Sequence, residues 1–581
     1  MLAPLRPART LAGLRCIALG ALVAACAARA ASVAPVGAES GMVVAAQHLA
    51  TRVGVDVLRD GGNAVDAAVA VGYALAVVYP AAGNLGGGGF MTLRLADGRK
   101  AFLDFREAAP LGATADMFLG PDGNVVPGRS TRSHLAVGVP GTVSGLETAL
   151  ARYGSLPRAA LIAPAIRYAE QGFRLEQGDV DMLRSASTDL AKDAASAAIF
   201  LRDGQPFEAG QSLVQKDLAR TLRRIADEGA KGFYQGPVGA ALVASSRAGG
   251  GLITQADLDR YRTRELAPVE CDYRGYRVVS APPPSSGGVI VCQILNVLEG
   301  YPLKDWGFRS AQGVHVQIEA MRHAYRDRNT YLGDPAFVDN PVERLLDKAY
   351  AHRIRDAIDP QRAGTGLPPP TATPPREGSN TTHYSIIDRH GNAVSVTYTL
   401  NDWFGARLTA AGTGVLLNNE MDDFTAKPGV PNLYGLVQGQ ANAIAPGKRP
   451  LSSMSPTIVL KDGQPLLVLG TPGGSRIISA VVHTLVNVVD YGMNIQEAVD
   501  APRFHQQWLP ETTNVERFAL SPDTQRLLEA KGHRFAGAQP ANHLAAIIVG
   551  APALGAPPVG RKRFFGANDP RRNTGLALGY D

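Results

Sequence analysis

Cysteine is scarce in this chain: four in 581 residues, with Cys16 and Cys26 inside the first 30. Only Cys271 and Cys292 remain in the body. That excludes a disulfide scaffold, a C-x-x-C redox pair and a cysteine-built zinc cluster, and leaves the two either paired or free. Long apolar runs are missing too. "CIALGALVAAC" at 16–26 is too short to span a bilayer comfortably, and "AVDAAVAVGYALAVVYP" at 64–80 is short and carries Asp66. Clustered positive charge is also absent. The net charge of +6 drops by four once Arg6, Arg9, Arg15 and Arg29 are set aside, so nothing points to nucleic acid. Familiar nucleophile settings fail as well: "GTVSG" at 141–145 misses G-x-S-x-G by one position, and no His or Asp spacing supports a triad. "NLGGGGF" at 84–90 follows a helix-like stretch rather than a strand. That order is the reverse of a dinucleotide fingerprint, so tight backbone packing is expected there.

What is present reads as a large exported globular protein. Hydrophobic content of 45% with 19% charged residues is ordinary for a globular chain, and this length supports more than one folding unit. The 64 glycines and 40 prolines suit an α+β protein with long loops. Residues 1–30 have the pattern of an export signal: three arginines, the apolar run, then small residues at "ARAAS". Two readings of its end stand, cleavage after Ala30 or a "VAAC" lipoprotein box that makes Cys26 a lipidated N-terminus.

Local signals place several elements. "DGGN" at 60–63 separates two helical patterns, with Gly61 and Gly62 at a helix end and Asn63 as the next N-cap. Residues 140–260 are mainly helical in pattern. His315, Glu319 and His323 share a helical stripe that resembles a metal site. The two histidines are eight residues apart, about 12 Å along the axis, so a solvated polar face is expected instead. "SPTIVLKDGQPLLVLG" reads as a hairpin, and "TPGGSRII" as strand, Gly-Gly, helix, which aims backbone N–H groups outward.

The most telling stretch is "REGSNTTHYSII" at 376–387. A proline-rich run, 361–380, ends at Asn380, and a hairpin pattern around Arg-His-Gly-Asn begins at Thr381. An internal threonine is a poor nucleophile. A threonine at a chain's N-terminus carries its own base, an α-amine of pKa roughly 8. The chemistry would require cutting the bond between Asn380 and Thr381.

"NTTHYSIIDRHGNAVSVTYTLN", "TGVLLNNEMDDF", "RPLSSMSPTIVL" and "GTPGGSRII" closely resemble the γ-glutamyltransferases, as do "DFREAAP", "PGTVSGLE", "PPPSSGG" and "PRFHQQWLP". The resemblance covers nearly the whole exported chain, in order. It implies an α+β fold, the four-layer αββα sandwich of the N-terminal-nucleophile hydrolases. It also implies a large subunit, 31–380, and a small subunit, 381–581, made from one precursor and held as a heterodimer. By the same resemblance Thr381 is the nucleophile, Thr399 orients it, and Gly473 and Gly474 form the oxyanion hole. Arg106, Ser452, Ser453, Asn401, Glu420 and Asp423 hold the glutamyl end of the donor. Tyr434, in the glycine- and proline-rich lid 427–450, closes over it by bonding Asn401.

The implied donors are glutathione or other γ-glutamyl amides, and the acceptors amino acids, peptides or water, with no cofactor or metal. Two departures stand out: Glu420 where many bacterial relatives carry Gln, and Asp402 with Trp403 where small polar residues are usual. The rival readings are a glutaryl or cephalosporin acylase, a poly-γ-glutamate transferase, and a non-catalytic exported binding lipoprotein.

Overall fold

Asp388 organises the turn on which the fold is built. Its carboxylate accepts from the backbone N–H groups of His390 and Asn392, and Gly391 takes φ 85°. This turn joins the strands Thr381–Ile387 and Ala393–Thr399, which pair antiparallel with Thr381 opposite Thr399. Every residue of both strands is buried. Strand alternation then divides them. Tyr384 and Tyr398 point to one side, where their hydroxyls donate to the carbonyls of Ala68 and Gly72 in the helix Ala64–Val78. Thr381, His383, Ser385, Ser395, Thr397 and Thr399 occupy the opposite face.

The computed structural model describes residues 32–364, 380–538 and 542–581. The hairpin lies at the centre of a seven-stranded sheet in the order Leu576–Tyr580, Gly41–Ala45, Thr381–Ile387, Ala393–Thr399, Gly88–Arg94, Lys100–Phe105, Arg264–Leu266. A second seven-stranded sheet packs against it: Val36–Ala38, Phe564–Asn568, Ala545–Val549, Gln464–Gly470, Thr457–Lys461, Tyr276–Ser280, Val269–Tyr273. All pairings within the two sheets are antiparallel. Met42, Val44, Ile387, Ile458, Val468 and Ile547 fill the space between them.

Helices cover the outer faces. His48–Arg59, Ala64–Val78 and Thr142–Tyr153 lie on the first sheet, and Gly287–Leu298 and Arg476–Val489 on the second. The result is the expected αββα sandwich, formed by the described residues between Pro35 and Asp581 as one compact unit. No helix among the described residues is long and apolar enough to cross a membrane. Ala64–Val78 is buried along its whole length, and Asp66 serves as a cap, accepting from the N–H groups of Asn63, Ser155 and Leu156.

Three sequence readings meet their structural test here. The glycine cluster packs backbone on backbone: a Cβ on Gly87 would run into the carbonyl of Thr399, and one on Gly89 into that of Thr397. Cys271 and Cys292 are joined, tying the strand Val269–Tyr273 to the helix Gly287–Leu298. The solvated polar face expected on the His315 helix is wrong. His315 and Glu319 are 1% and 2% exposed, because the helix Ala311–Tyr331 is covered by the helix Pro522–Ala530 and by residues 359–364. The partner of His315 is His533, 2.7 Å away, and His323 takes no part. The export signal and residues 365–379 of the proline-rich run lie outside the described residues.

Candidate active site

The site gathers where strands of both sheets end. Arg106 follows Lys100–Phe105 and Asn401 follows Ala393–Thr399. Ser452 and Ser453 precede Thr457–Lys461, and Gly473 and Gly474 link Gln464–Gly470 to the helix Arg476–Val489. Thr381, Thr399, Asn401, Arg106, Glu420, Asp423, Tyr434, Ser452, Ser453 and Gly474 all line one cavity. Gly473 adjoins it in the chain, with φ 132°, and Gly474 has φ 55°.

Three hydrogen bonds orient the hydroxyls. Thr399 Oγ1 receives the backbone N–H of Asn401 at 2.8 Å and lies 3.1 Å from the carbonyl oxygen of Asn380 and 3.2 Å from Thr381 Oγ1. A hydroxyl has one proton and two lone pairs. The amide can only donate and the carbonyl only accept, so the Thr399 proton is committed to Asn380. Its remaining lone pair then accepts from Thr381. The result is a directed chain, Thr381 O–H to Thr399 O–H to the Asn380 carbonyl, across the bond that joins Asn380 to Thr381.

Beside this chain lies a buried charge cluster. The Arg106 guanidinium, 1% exposed, binds the carboxylates of Glu420 and Asp423 and lies 3.8 Å from that of Glu107. A second guanidinium, Arg328, lines the same cavity, so three acids stand against two cations. Burial opposes the charge on Arg106, but Glu420, Asp423 and Glu107 outweigh it and raise its pKa. Burial also pushes the Glu107 carboxyl up to about 7 and holds that of Glu420 well above the ordinary range, despite Arg106. The excess of acid in this pocket favours one further positive charge.

The gamma-glutamyltranspeptidase family model matches residues 50–579. The chain is 71% identical to a glutathione hydrolase proenzyme from a Pseudomonas species, over 95% of this chain and 96% of that one. It is 50% identical to the glutathione hydrolase proenzyme of Escherichia coli, over 94% and 93%. Its fold matches the crystal structure of a cephalosporin acylase from Bacillus halodurans with a TM-score of 0.82 at 28% identity, over 95% and 98%. The chain belongs to the γ-glutamyltransferase family.

In this γ-glutamyltransferase, Tyr434 is buried over the site. Its hydroxyl donates to the carbonyl of Asn401 at 2.7 Å, and a Cβ on Gly474 would collide with its ring. The segment around it, 427–450, is largely irregular, with one short 3-10 turn at Gln440–Asn442, and Tyr434 and Leu436 are packed into the core beside the second sheet. The cavity under Tyr434 has about 20 Å³ of free volume, space for a water rather than a glutamyl group.

Sequence reasoning missed two charged residues. Arg328 lines the same cavity and donates to Ser453 Oγ at 3.0 Å and Ser286 Oγ at 2.9 Å, and also to Gln438 and Asn329. Burial pushes it down to about 10. It sits in "AYRDRN", an ordinary charged helix pattern with no local mark of burial. Glu107 is next to Arg106 in "DFREAAP", where charge alternation reads as surface. Ser452 and Ser453 reach the cavity, but Ser452 Oγ accepts from the N–H of Met454 and Ser453 Oγ from Arg328.

The other polar cluster is His315, Glu319 and His533, whose ligand atoms lie within 4.8 Å of one another. His315 Nδ1 and His533 Nε2 bond each other, His315 Nε2 bonds the carbonyl of Asp359, and Arg322 Nε sits 3.4 Å from Glu319. Burial lowers both histidines, and the positive charges of Arg322 and Lys531 lower them further. That surrounding charge opposes a bound cation.

Proposed function

We propose that this γ-glutamyltransferase is made as a proenzyme that cuts itself between Asn380 and Thr381. It then takes the γ-glutamyl group from glutathione or related γ-glutamyl amides. The observation that carries this reading is the hydroxyl chain from Thr381 through Thr399 to the Asn380 carbonyl. In the first step Thr381 Oγ attacks the Asn380 carbonyl carbon. Its proton passes to Thr399, while Thr399 passes its own to the carbonyl oxygen. The intermediate collapses with the C–N bond broken and the proton on nitrogen, leaving an ester. Water hydrolyses the ester to the Asn380 carboxylate and a free Thr381.

The freed α-amine, with a pKa of roughly 8, is then the base for Thr381 Oγ in turnover. Thr381 attacks the γ-carbonyl, the oxyanion is held by the N–H groups of Gly473 and Gly474, and the leaving amine takes the proton. An amino acid, a peptide or water releases the γ-glutamyl ester.

The acidic cluster explains the choice of donor. The donor's α-carboxylate takes Arg106, with Ser452 and Ser453 adding neutral donors, and its α-ammonium takes Glu420 and Asp423. Asn401 and Tyr434 close the site. An acylase reading is favoured by the likeness to the Bacillus halodurans cephalosporin acylase. It is disfavoured by the buried Glu107 and Glu420 and the partly buried Asp423 around Arg106, which a glutaryl donor would leave short of a cation. The two fragments stay together as a heterodimer, since both supply strands to the same sheets. Export to the periplasm or beyond is supported by residues 1–30 and by the Cys271–Cys292 disulfide, with either Ala30 or a lipidated Cys26 at the processing point.

The test is Thr381→Ala purified and run on a denaturing gel. It stays one chain, whereas the parent gives two bands with the smaller beginning at Thr381. Cleavage of the variant at the same bond would assign the cut to a protease.

A further inference from the structure

Asp402, one of the two departures from the usual pattern, is placed against the residue that must be cut. Asn380 Nδ2 donates to Asp402 Oδ1 at 2.6 Å, and both residues are buried. The carboxylate is itself fixed on every side. Its other oxygen binds Arg132 and lies 3.6 Å from Arg407, and both arginines are held by Asp189. Its backbone N–H donates to Asn419 Oδ1 at 2.9 Å, and Oδ1 also accepts from the N–H of Trp403 at 2.8 Å. Asn419 in turn bonds the backbone of Leu400 and accepts the side-chain amide of Asn401 on its carbonyl. A rigid, charged frame therefore ends on the side chain of Asn380.

We propose that Asp402 is a positioning residue for self-cleavage. It clamps the Asn380 side chain so that the adjoining carbonyl stays on Thr399 and in front of Thr381 Oγ. This rests on the self-cleavage reading above. The Asn380 carbonyl accepts from Thr399, and the bond from its side chain to Asp402 adds a second anchor on the same residue. A hydrogen bond from an amide to a carboxylate is charge-assisted, roughly twice as strong as a neutral one. Two anchors, one on the carbonyl and one on the side chain, fix the plane of the peptide to be attacked. Misplacement of a reacting group by about 1 Å costs on the order of 10²-fold in rate. Asp402 touches neither the attacking oxygen nor the carbonyl, so it positions rather than reacts. The step itself is unchanged: the Oγ–C bond forms, the C–N bond breaks, and the proton ends on nitrogen.

An exchange of partners tests this on the full-length chain made in a cell-free reaction, with cleavage followed by timed gel samples. Asp402→Ala slows the appearance of the two fragments by about 10²-fold. Asn380→Asp sets two carboxylates face to face and slows cleavage at least as much. Asn380→Asp combined with Asp402→Asn restores an amide–carboxylate pair with the roles exchanged, and cuts at least tenfold faster than Asn380→Asp alone. The rescue stays partial, because the Trp403 N–H loses its acceptor. A purely structural Asp402 predicts the opposite, a double variant slower than either single one. Cleavage of Asn380→Asp at the parent rate, or a double variant no faster than Asn380→Asp, overturns the assignment even if Asp402→Ala fails to fold. Splitting of Thr381→Ala at the same bond would instead remove the self-cleavage reading on which it rests.

Discussion

Removing one ammonium group from the donor should nearly silence this enzyme, and the buried ion pairs set the size of the loss. Without a donor, Arg106 is shared by Glu420 and Asp423. A γ-glutamyl donor brings one anion and one cation, so every buried charge keeps a partner when its carboxylate captures Arg106. A glutaryl amide brings the carboxylate alone. It takes Arg106 away from Glu420, which is buried, and from Asp423, which is partly buried. Leaving a buried charge unpaired costs about 3 to 5 kcal/mol, which is roughly two to four powers of ten in kcat/KM at 1.4 kcal/mol per decade. Sites that bond a polar substrate group reject the analogue lacking it by as much as about 10⁴ to 10⁵.

The assay compares kcat/KM for γ-glutamyl and glutaryl p-nitroanilides on the cleaved enzyme. The discrimination should also shrink in acid. Burial holds the Glu107 carboxyl at about 7 and that of Glu420 above its usual range, so below neutrality a proton stands in for the missing ammonium. Asp423→Ala should cut γ-glutamyl turnover severely and leave self-cleavage intact, because cleavage uses the chain's own carbonyl. A glutaryl rate within tenfold of the γ-glutamyl rate at pH 8 would refute the reasoning and promote the acylase reading.

Other outcomes follow from the same geometry. Gly474→Ala meets the Tyr434 ring and a φ of 55°, so kcat/KM falls at least tenfold, and Tyr434→Ala in the same chain relieves the collision but not the backbone strain. Cys292→Ser opens a loop with a sequence separation of 21, and urea titration should read a loss of about 3 kcal/mol. His383 is pushed down to about 3 by burial, with the nearby His543 adding to it. The unfolded chain binds that proton near pH 6.5 and the folded chain does not, so this contribution is complete above pH 6.5 and is lost as pH falls toward 3. His383→Gln should flatten that part of the stability profile in equilibrium unfolding.

Local order was legible in the sequence, and its physics is short-range. Asn63 caps its helix through a reciprocal bond with Asp66, as Asn before an apolar helix should. The turn at 388–392 fixes the hairpin register by itself, so the spacing of Thr381 and Thr399 already puts them across from each other. The Gly-Gly before Arg476 announces a helix start in the same way. The strand that begins at Thr381 and its neighbour were therefore readable before any fold was known.

Only the tertiary structure decided which charges share a pocket. Arg106 meets Glu420 and Asp423 across more than 300 residues, and Arg328 reaches Ser453 from a helix whose pattern looks like surface. His315 pairs with His533, 218 residues on, rather than with its helical neighbour His323. The Cys271–Cys292 bond and the Asn380–Asp402 clamp belong to the same class. Periodicity reports which face of an element is apolar, but a charge or thiol acquires its meaning from burial and from partners that only packing brings within a few ångströms.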